Sequence, residues 1–247
     1  MNGALVAVVA HPDDESLIAG GTLALAAGAG AATGVVSLTR GEHGPISDGA
    51  LAFREQLAQV REAELQTAAG ELGVGWTACL HHPDGELPWV DHEAAAEELA
   101  ALLAPHAPAV LLTFGEDGLY WHPDHAAARE IALLAIRRLG APVDVYEAVW
   151  PCGLITQLVA AAAARGLPVG LWDLEPEAFG SNRAPTIEID ARPALARKLA
   201  ALRAHRTQVG PDHLLAALPD DLAERFLARE PWVGPEHGAL EALIRGG

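Results

Sequence analysis

Residues 4–24 read ALVAVVAHPDDESLIAGGTLA, a stretch in which a strand passes directly into a helix. The apolar run Ala4–Val9 is typical of a strand that is buried on both faces of a parallel sheet. The segment from Ser16 onward predicts a helix. Between the two lie four ionisable residues: His11, Asp13, Asp14 and Glu15. Adjacent carboxylates repel each other unless a cation lies between them, and ligands bind where the strands of an open α/β sheet end, so we expect a metal site here.

The alternation of strand and helix continues for five cycles. Further strands are predicted at Thr33–Thr39, Trp76–His82, Ala109–Phe114 and Val143–Val149. Helices are predicted at about Leu51–Leu72, at His92–Leu103, and from the motif at His122 to Leu139. This pattern predicts an α/β, Rossmann-like three-layer fold with a mostly parallel sheet.

After Trp150 the alternation becomes looser. The elements predicted there are a helix near Leu154–Ala164, a short strand at Pro185–Asp190, a helix from Pro193 to about Gln208 and a helix at Pro219–Leu227, followed by a tail rich in proline and glycine. We expect a single domain over 1–247, made of a Rossmann-like core (1–150) and a smaller C-terminal subdomain (151–247) that covers the site.

The chain is acidic, with 16 Lys and Arg against 33 Asp and Glu and a formal net charge of −17. Such a surface repels nucleic acid and anionic lipid, so we expect neither as a partner. The two cysteines, Cys79 and Cys152, form no disulfide framework, and a reducing compartment is the simpler interpretation. No signal peptide and no apolar run long enough to span a membrane is evident, so we expect a cytoplasmic protein.

A second motif, His122-Pro123-Asp124-His125, also follows a buried strand and opens a helix. The acids at the first turn could simply complement a helix dipole, but that role does not explain a histidine in each of two such turns. Catalytic zinc takes about three protein ligands and leaves a position for water. Two histidines and one carboxylate would suit zinc as ligands. A second carboxylate could take the proton of the metal-bound water, and a further histidine could stabilise the oxyanion or protonate the leaving amine.

Two other chemistries are disfavoured by the sequence. The glycines of 28–34 precede a strand, whereas the dinucleotide fingerprint requires strand, glycines and helix in that order. There is no Gly-x-Ser-x-Gly nucleophile motif. Most of the remaining histidines are interpreted as surface groups, and the roles of His43, His205 and Glu15 are left open.

The two motifs, together with Gly20-Gly21, resemble the PIG-L/LmbE family of zinc-dependent N-acetylglucosamine deacetylases, and in particular its mycothiol-pathway branch. Weaker similarity continues along the chain at 38–42, 60–65 and 83–85. A late Ala-His-Arg-Thr-Gln segment at 204–208 is similar to a helix of that family.

The resemblance implies a role for each matching residue. The implied metal ligands are His11, Asp14 and His125, which would hold zinc or iron. The implied catalytic residues are Asp13 as general base, His122 as oxyanion donor or acid, Asp124 as the group that tunes His122, and Tyr120 as a contact of the tetrahedral intermediate. The implied sugar contacts are Arg61 and Asp84.

The reaction implied is removal of the N-acetyl group from a small amino-sugar molecule that contains GlcNAc, with release of acetate and a free amine. One alternative is an amidase that acts on thiol-sugar S-conjugates with the same metal site. Another is a metal-binding or sugar-binding module without catalysis, and a nucleotide binder is the remaining one. The sequence leaves open whether the protein forms a homo-oligomer.

Overall fold

The computed structural model describes residues 3–171 and 174–246. Its strands are β1 (Ala4–Val9), β2 (Thr33–Ser37), β3 (Trp76–Cys79), β4 (Pro108–Phe114), β5 (Asp144–Ala148), β6 (Ile187–Asp190) and β7 (Arg229–Val233). Its helices are α1 (Asp14–Gly28), α2 (Leu57–Leu72), α3 (His92–Leu103), α4 (Gly118–Trp121), α5 (Pro123–Leu139), α6 (Leu154–Ala163), α7 (Leu195–Ala204), α8 (Asp220–Leu227) and α9 (Ala239–Arg245).

Within the described ranges, seven strands form one sheet in the order β3-β2-β1-β4-β5-β7-β6. The first five strands are parallel. At one side β7 pairs antiparallel with β5, and β6 pairs antiparallel with β7, so β6 again runs in the direction of the first five. The strand order reverses at β1, which pairs with β2 on one side and with β4 on the other. Such a reversal leaves a crevice at the carboxyl ends of the two strands, where α/β proteins bind their ligands.

The sheet is covered by helices, as a parallel sheet requires. All six residues of β1 are buried, which identifies it as the centre of the core. Helices α1, α2 and α7 pack against one another, and α3 packs against α5. The predicted α/β fold with a mostly parallel sheet is confirmed.

The C-terminal part differs from the sequence prediction. The tail predicted after Leu227 is wrong, because Arg229–Val233 is a strand inserted between β5 and β6 and a further helix follows it. The sequence of this strand, REPWV, does not predict one because it contains a proline and two charged residues. Glu230 nevertheless lies buried, since its carboxylate accepts hydrogen bonds from the ammonium of Lys198 at 2.6 Å and from the backbone of α1.

Two helix boundaries also differ from the prediction. The helix predicted from Leu51 begins at Leu57, after a 3-10 turn at Arg54–Gln56. The late helix ends at Ala204, because His205 leaves the helical conformation with φ −78° and ψ 61°. The division of the chain into 1–150 and 151–247 stays a prediction. None of the helices described here is both long and apolar enough to span a bilayer.

Candidate active site

The turn from β1 into α1 and the start of α5 bring three polar side chains together at the point where the strand order reverses. Oδ2 of Asp14 lies 3.3 Å from Nδ1 of His11, and Oδ1 of the same carboxylate lies 3.3 Å from Nε2 of His125. All three residues are buried, and one ligand atom from each falls within a radius suited to a single metal ion. The predicted ligands His11, Asp14 and His125 are therefore neighbours in the structure.

The hydrogen bonding of His125 indicates that these three residues suit a metal. Its Nδ1 lies 3.0 Å from the carbonyl oxygen of Gly118, which fixes Nδ1 as the protonated nitrogen. Its Nε2 is then a lone-pair donor, and it has no hydrogen-bond partner in the described part of the chain although it is buried. A buried lone pair beside a carboxylate and a second imidazole fits a divalent metal such as zinc.

The other nitrogen of His11 is held by two carboxylates. Its Nε2 lies 3.2 Å from Oδ2 of Asp124 and 3.2 Å from Oδ1 of Asp84. Burial opposes protonation, but the hydrogen bonds to Asp124, Asp14 and Asp84 raise the pKa of His11 well above its usual range. Carboxylates in this position orient a metal-binding imidazole and increase its basicity.

Asp124 and Asp84 thus have surroundings that the sequence did not indicate. The Asp124 carboxylate also accepts the backbone N–H groups of Gly85 at 2.7 Å and Leu87 at 3.1 Å, so it fixes the loop after β3. Asp84 accepts the backbone N–H of His43 at 2.7 Å, and its pKa is lowered to about 2 because the contact with His11 outweighs its burial. Asp124 was expected to tune His122, whereas its carboxylate contacts the ring of His11.

Asp13 occupies a strained backbone position at the start of α1. Its φ of 130° and ψ of −31° are rare for a residue with a side chain. Its Oδ2 lies 3.2 Å from a terminal nitrogen of Arg61. Burial raises the pKa of the Asp13 carboxyl to about 6, and the positive charge of Arg61 opposes this shift. Asp13 is therefore a carboxylate poised to take up a proton near neutral pH.

The pKa of Asp14 shifts in the opposite direction. Burial favours its protonated form, but the imidazoles of His125 and His11 hold the pKa of the Asp14 carboxyl well below its usual range. The two adjacent carboxylates therefore differ in protonation behaviour, which is a common arrangement where one binds a cation and the other transfers a proton.

His122 precedes α5 and caps it. Its Nδ1 accepts the backbone N–H of Asp124 at 3.2 Å, so in the neutral ring Nε2 carries the proton. Burial, together with the neighbouring imidazoles of His125 and His11, lowers the pKa of His122 to about 4. The ring stacks on that of His125 with centroids 4.5 Å apart. His122 is therefore a neutral N–H donor at the edge of the site.

Tyr120 packs edge-on against two of these rings, with centroids 5.6 Å from His122 and 5.2 Å from His125. Burial and the nearby carboxylates of Asp14 and Asp13 raise the pKa of its phenol. The hydroxyl therefore stays protonated and able to donate a hydrogen bond.

Arg61 is buried and largely occupied by contacts inside the protein. One terminal nitrogen donates to the carbonyl of Gly41 at 2.8 Å, and the other donates to the carbonyl of Pro12 at 2.6 Å and approaches Asp13. It also lines the cavity described next, as does Asp84, so both expected sugar contacts border that space.

A cavity of about 360 Å³ opens over these groups. The predicted site residues that line it are His11, Asp13, Asp14, Arg61, Asp84, Tyr120 and His122. His125 and Asp124 are buried and do not line it. Its other wall comprises His43, Pro45 and Gln208 together with the apolar residues Leu17, Leu174, Leu202 and Val209. The sequence did not indicate this wall, because apolar side chains from separate helices and loops carry no recognisable motif.

The domain model described as PIG-L: GlcNAc-PI de-N-acetylase matches residues 6–136, more than half of the chain. The chain belongs to the PIG-L family. The matched segment contains both turns that form the site. This model and the relatives described next are named for deacetylation, which is hydrolysis of an amide bond, so the predicted reaction class is confirmed.

PIG-L relatives of the chain carry a more specific name. A protein of Nakamurella multipartita is 36% identical over 94% of this chain and 92% of its own length, and is named 1D-myo-inositol 2-acetamido-2-deoxy-alpha-D-glucopyranoside deacetylase. A protein of Acidothermus cellulolyticus with the same name is 32% identical over 93% of this chain and 87% of its own length.

Solved structures share the PIG-L fold of this chain. A conserved protein of Thermus thermophilus has a TM-score of 0.59 and 28% identity over 95% of this chain and 94% of its own. The 4-carboxy-2-hydroxymuconate hydratase of Pseudomonas putida has a TM-score of 0.65 and 20% identity over 95% of this chain and 96% of its own. At that identity the second likeness shows the fold alone, and the fold does not determine the reaction.

Proposed function

We propose that this protein is a zinc-dependent hydrolase that removes the N-acetyl group from a small molecule containing GlcNAc. The observation that carries the proposal is the His11–Asp14–His125 cluster with a second carboxylate, Asp13, beside it in the same cavity. The names of the relatives favour an α-glucosaminide of myo-inositol as the substrate. We also propose a cytoplasmic location.

His11, Asp14 and His125 would hold the metal. When bound, zinc supplies a Lewis acid for the amide carbonyl and makes an attacking water available at neutral pH. Iron would fit the same ligands, and the donor set alone does not choose between them.

The remaining residues move protons and stabilise charge. Asp13 accepts a proton from the attacking water, for which its raised pKa is suited. The Nε2–H of His122 donates to the oxygen that gains negative charge, and the Tyr120 hydroxyl is a second donor beside it. Because His122 is neutral at physiological pH, we assign to Asp13 the return of the proton to the leaving amine. The products are acetate and the free amine.

The test is acetate release from GlcNAc-inositol and from other GlcNAc conjugates, with metal supplied and with a chelator. We expect release that depends on metal, and a complete lack of release from every conjugate by the metal-loaded protein would refute the deacetylase proposal. A stoichiometry near one zinc or iron per chain, measured in protein purified without added metal, identifies the native ion.

The second candidate is an amidase that acts on thiol-sugar S-conjugates. A neighbouring cavity of about 230 Å³ shares Pro45 and Gln208 with the main one and offers space for a larger substrate. Comparing kcat/KM on a GlcNAc glycoside with that on an S-conjugate distinguishes the two activities. A binding module without catalysis has no use for Asp13 and His122, and the absence of turnover with tight sugar binding would favour it.

A further inference from the structure

A fully buried acid–imidazole pair lies behind the site and takes no part in the mechanism above. Oε1 of Glu15 lies 2.8 Å from Nε2 of His205, and both side chains have 0% exposure. The two residues are 190 positions apart in the sequence. Neither lines the main cavity. A buried pair of this kind is costly to desolvate and is not by itself an efficient source of stability, so its other contacts indicate its purpose.

The second oxygen of Glu15 contacts the general base through its backbone. Oε2 accepts the N–H of Asp13 at 3.0 Å. The carbonyl of the same peptide unit belongs to Pro12, and it accepts a hydrogen bond from Arg61 at 2.6 Å. The Pro12–Asp13 peptide is therefore held at both of its polar atoms.

This peptide needs such support. The backbone conformation of Asp13, with φ 130°, is strained and persists only where its surroundings enforce it. A relaxed φ would rotate the Asp13 side chain relative to the neighbouring Asp14. Asp13 would then no longer face the attacking water while Asp14 binds the metal.

His205 is itself held in place. It follows α7 directly, and two residues later Thr207 donates to Glu64 of α2 through its backbone N–H at 2.8 Å and its hydroxyl at 2.6 Å. The imidazole thus links the turn after β1 to the packed pair α2 and α7.

We propose that Glu15 and His205 are positioning residues that keep the Asp13 carboxylate in its working orientation by fixing the Pro12–Asp13 peptide. This inference rests on the proposed function, in which Asp13 is the base. It also gives the late Ala204–Gln208 segment a role in the reaction, although that segment donates no group to the substrate in our mechanism.

The test compares Glu15→Leu and Glu15→Gln with Glu230→Leu in metal-loaded, full-length protein. Leucine has a similar size but no acceptor, whereas glutamine retains one. Glu230 is the matched control, because its buried carboxylate also pairs with a buried cation and accepts backbone N–H groups of α1, at Gly21 and Thr22. The readouts are metal content, unfolding midpoint, kcat, KM and a crystal structure of each variant.

We expect Glu15→Leu to lose about 100-fold in kcat, as misplacement of a catalytic group by about 1 Å does, with KM and metal content unchanged. Glu15→Gln should recover at least about tenfold of that loss, since it still accepts the Asp13 N–H. Glu230→Leu should lose comparable stability but keep kcat within about threefold. The crystal structure of Glu15→Leu should show Asp13 relaxed to a negative φ.

The proposal is overturned if Glu15→Leu keeps wild-type kcat, if its loss equals that of Glu230→Leu, or if Asp13 keeps φ near 130° in it. Loss of metal instead of kcat would also overturn it, since Glu15 would then act through Asp14. If Glu15→Leu does not fold, His205→Leu gives the same comparison, with His205→Gln, whose amide can still donate to Glu15, as the conservative variant. Wild-type protein without any acetate release refutes the proposed function, while active wild type with unaffected variants refutes only the positioning role.

Discussion

The carboxylate of Asp124 lies 3.2 Å from Nε2 of His11, although the two residues are 113 positions apart. Asp124 has no exposed surface, and its oxygens also hold the loop after β3 through Gly85 and Leu87. A buried carboxylate on the distal nitrogen of a histidine determines which nitrogen faces the metal. The sequence places His11 and Asp124 in two separate turns and does not show that their side chains are in contact.

Asp124→Asn is expected to weaken metal binding by about 10-fold to 100-fold, the usual effect of changing a carboxylate that supports a ligating histidine. Titration with zinc against a competing chelator measures the change. Asp144→Asn is the control, because that carboxylate accepts the backbone N–H of Ala239 far from the site. Equal affinities in the two variants would contradict this role for Asp124.

Asp13→Asn should lower kcat by at least about 100-fold, because a general base typically contributes between about 100-fold and 10,000-fold. Asparagine is the appropriate replacement, since it tolerates positive φ better than alanine. Metal content should stay at the wild-type level, whereas Asp14→Asn should lose metal. The reverse result in these two variants would mean that the roles of Asp13 and Asp14 are exchanged.

Metal binding should release about one proton at neutral pH, because a ligand must lose its proton before it coordinates a metal. In the metal-free protein the raised pKa of His11 keeps both ring nitrogens protonated, while the lowered pKa of Asp14 leaves that carboxylate already ionised. Below the pKa of His11, apparent affinity should therefore fall about tenfold for each unit decrease in pH. Calorimetry in buffers of different ionisation enthalpy measures the released proton, and a binding heat that is the same in all buffers would contradict it.

His122→Leu should reduce kcat by about 100-fold to 1,000-fold, the typical cost of removing one oxyanion donor. His122→Gln should recover part of this rate, since its amide can still donate a hydrogen bond. With a pKa lowered to about 4, His122 is neutral above that pH, so the wild-type rate should show no ionisation of this ring between pH 5 and 8. Steady-state kinetics across that range test the assignment, and an unchanged kcat in His122→Leu would exclude it.

Gly21→Ala should destabilise the fold by about 1–3 kcal/mol, the usual cost of overpacking a core. A Cβ at this position would lie 2.3 Å from the Cβ of Ala191 and 2.9 Å from Oε1 of Glu230. Gly28→Ala in the same helix is the control, because its nearest neighbour is the Arg197 guanidinium at 3.8 Å and alanine favours the helix. Urea unfolding compares the two, and equal midpoints would show that α1 can shift away from Ala191.

The sequence predicted the central part of the fold because β1 and β4 are largely apolar runs and clear turn residues separate the strands from the helices. It also placed His11, Asp14 and His125 at one edge, since parallel strands end on the same side. It did not predict the contact partners of Asp124 and Arg61, because a side chain's neighbours depend on packing between distant segments. Glu15 and His205 illustrate this limit, because they are 190 positions apart and only the folded chain brings them together.

Strand β7 lies between β5 and β6, yet it is the last strand to leave the ribosome. When residues 6–136, which match the PIG-L model, and β5 have been synthesised, the edge of β5 still lacks its partner strand β7. An unpaired edge strand in a nascent chain is prone to pair with other chains. Pairing with Arg229–Val233 covers an edge of β5 that is otherwise open to other chains. C-terminal truncations before Val233 should therefore reduce yield in cells more than they alter the metal ligands.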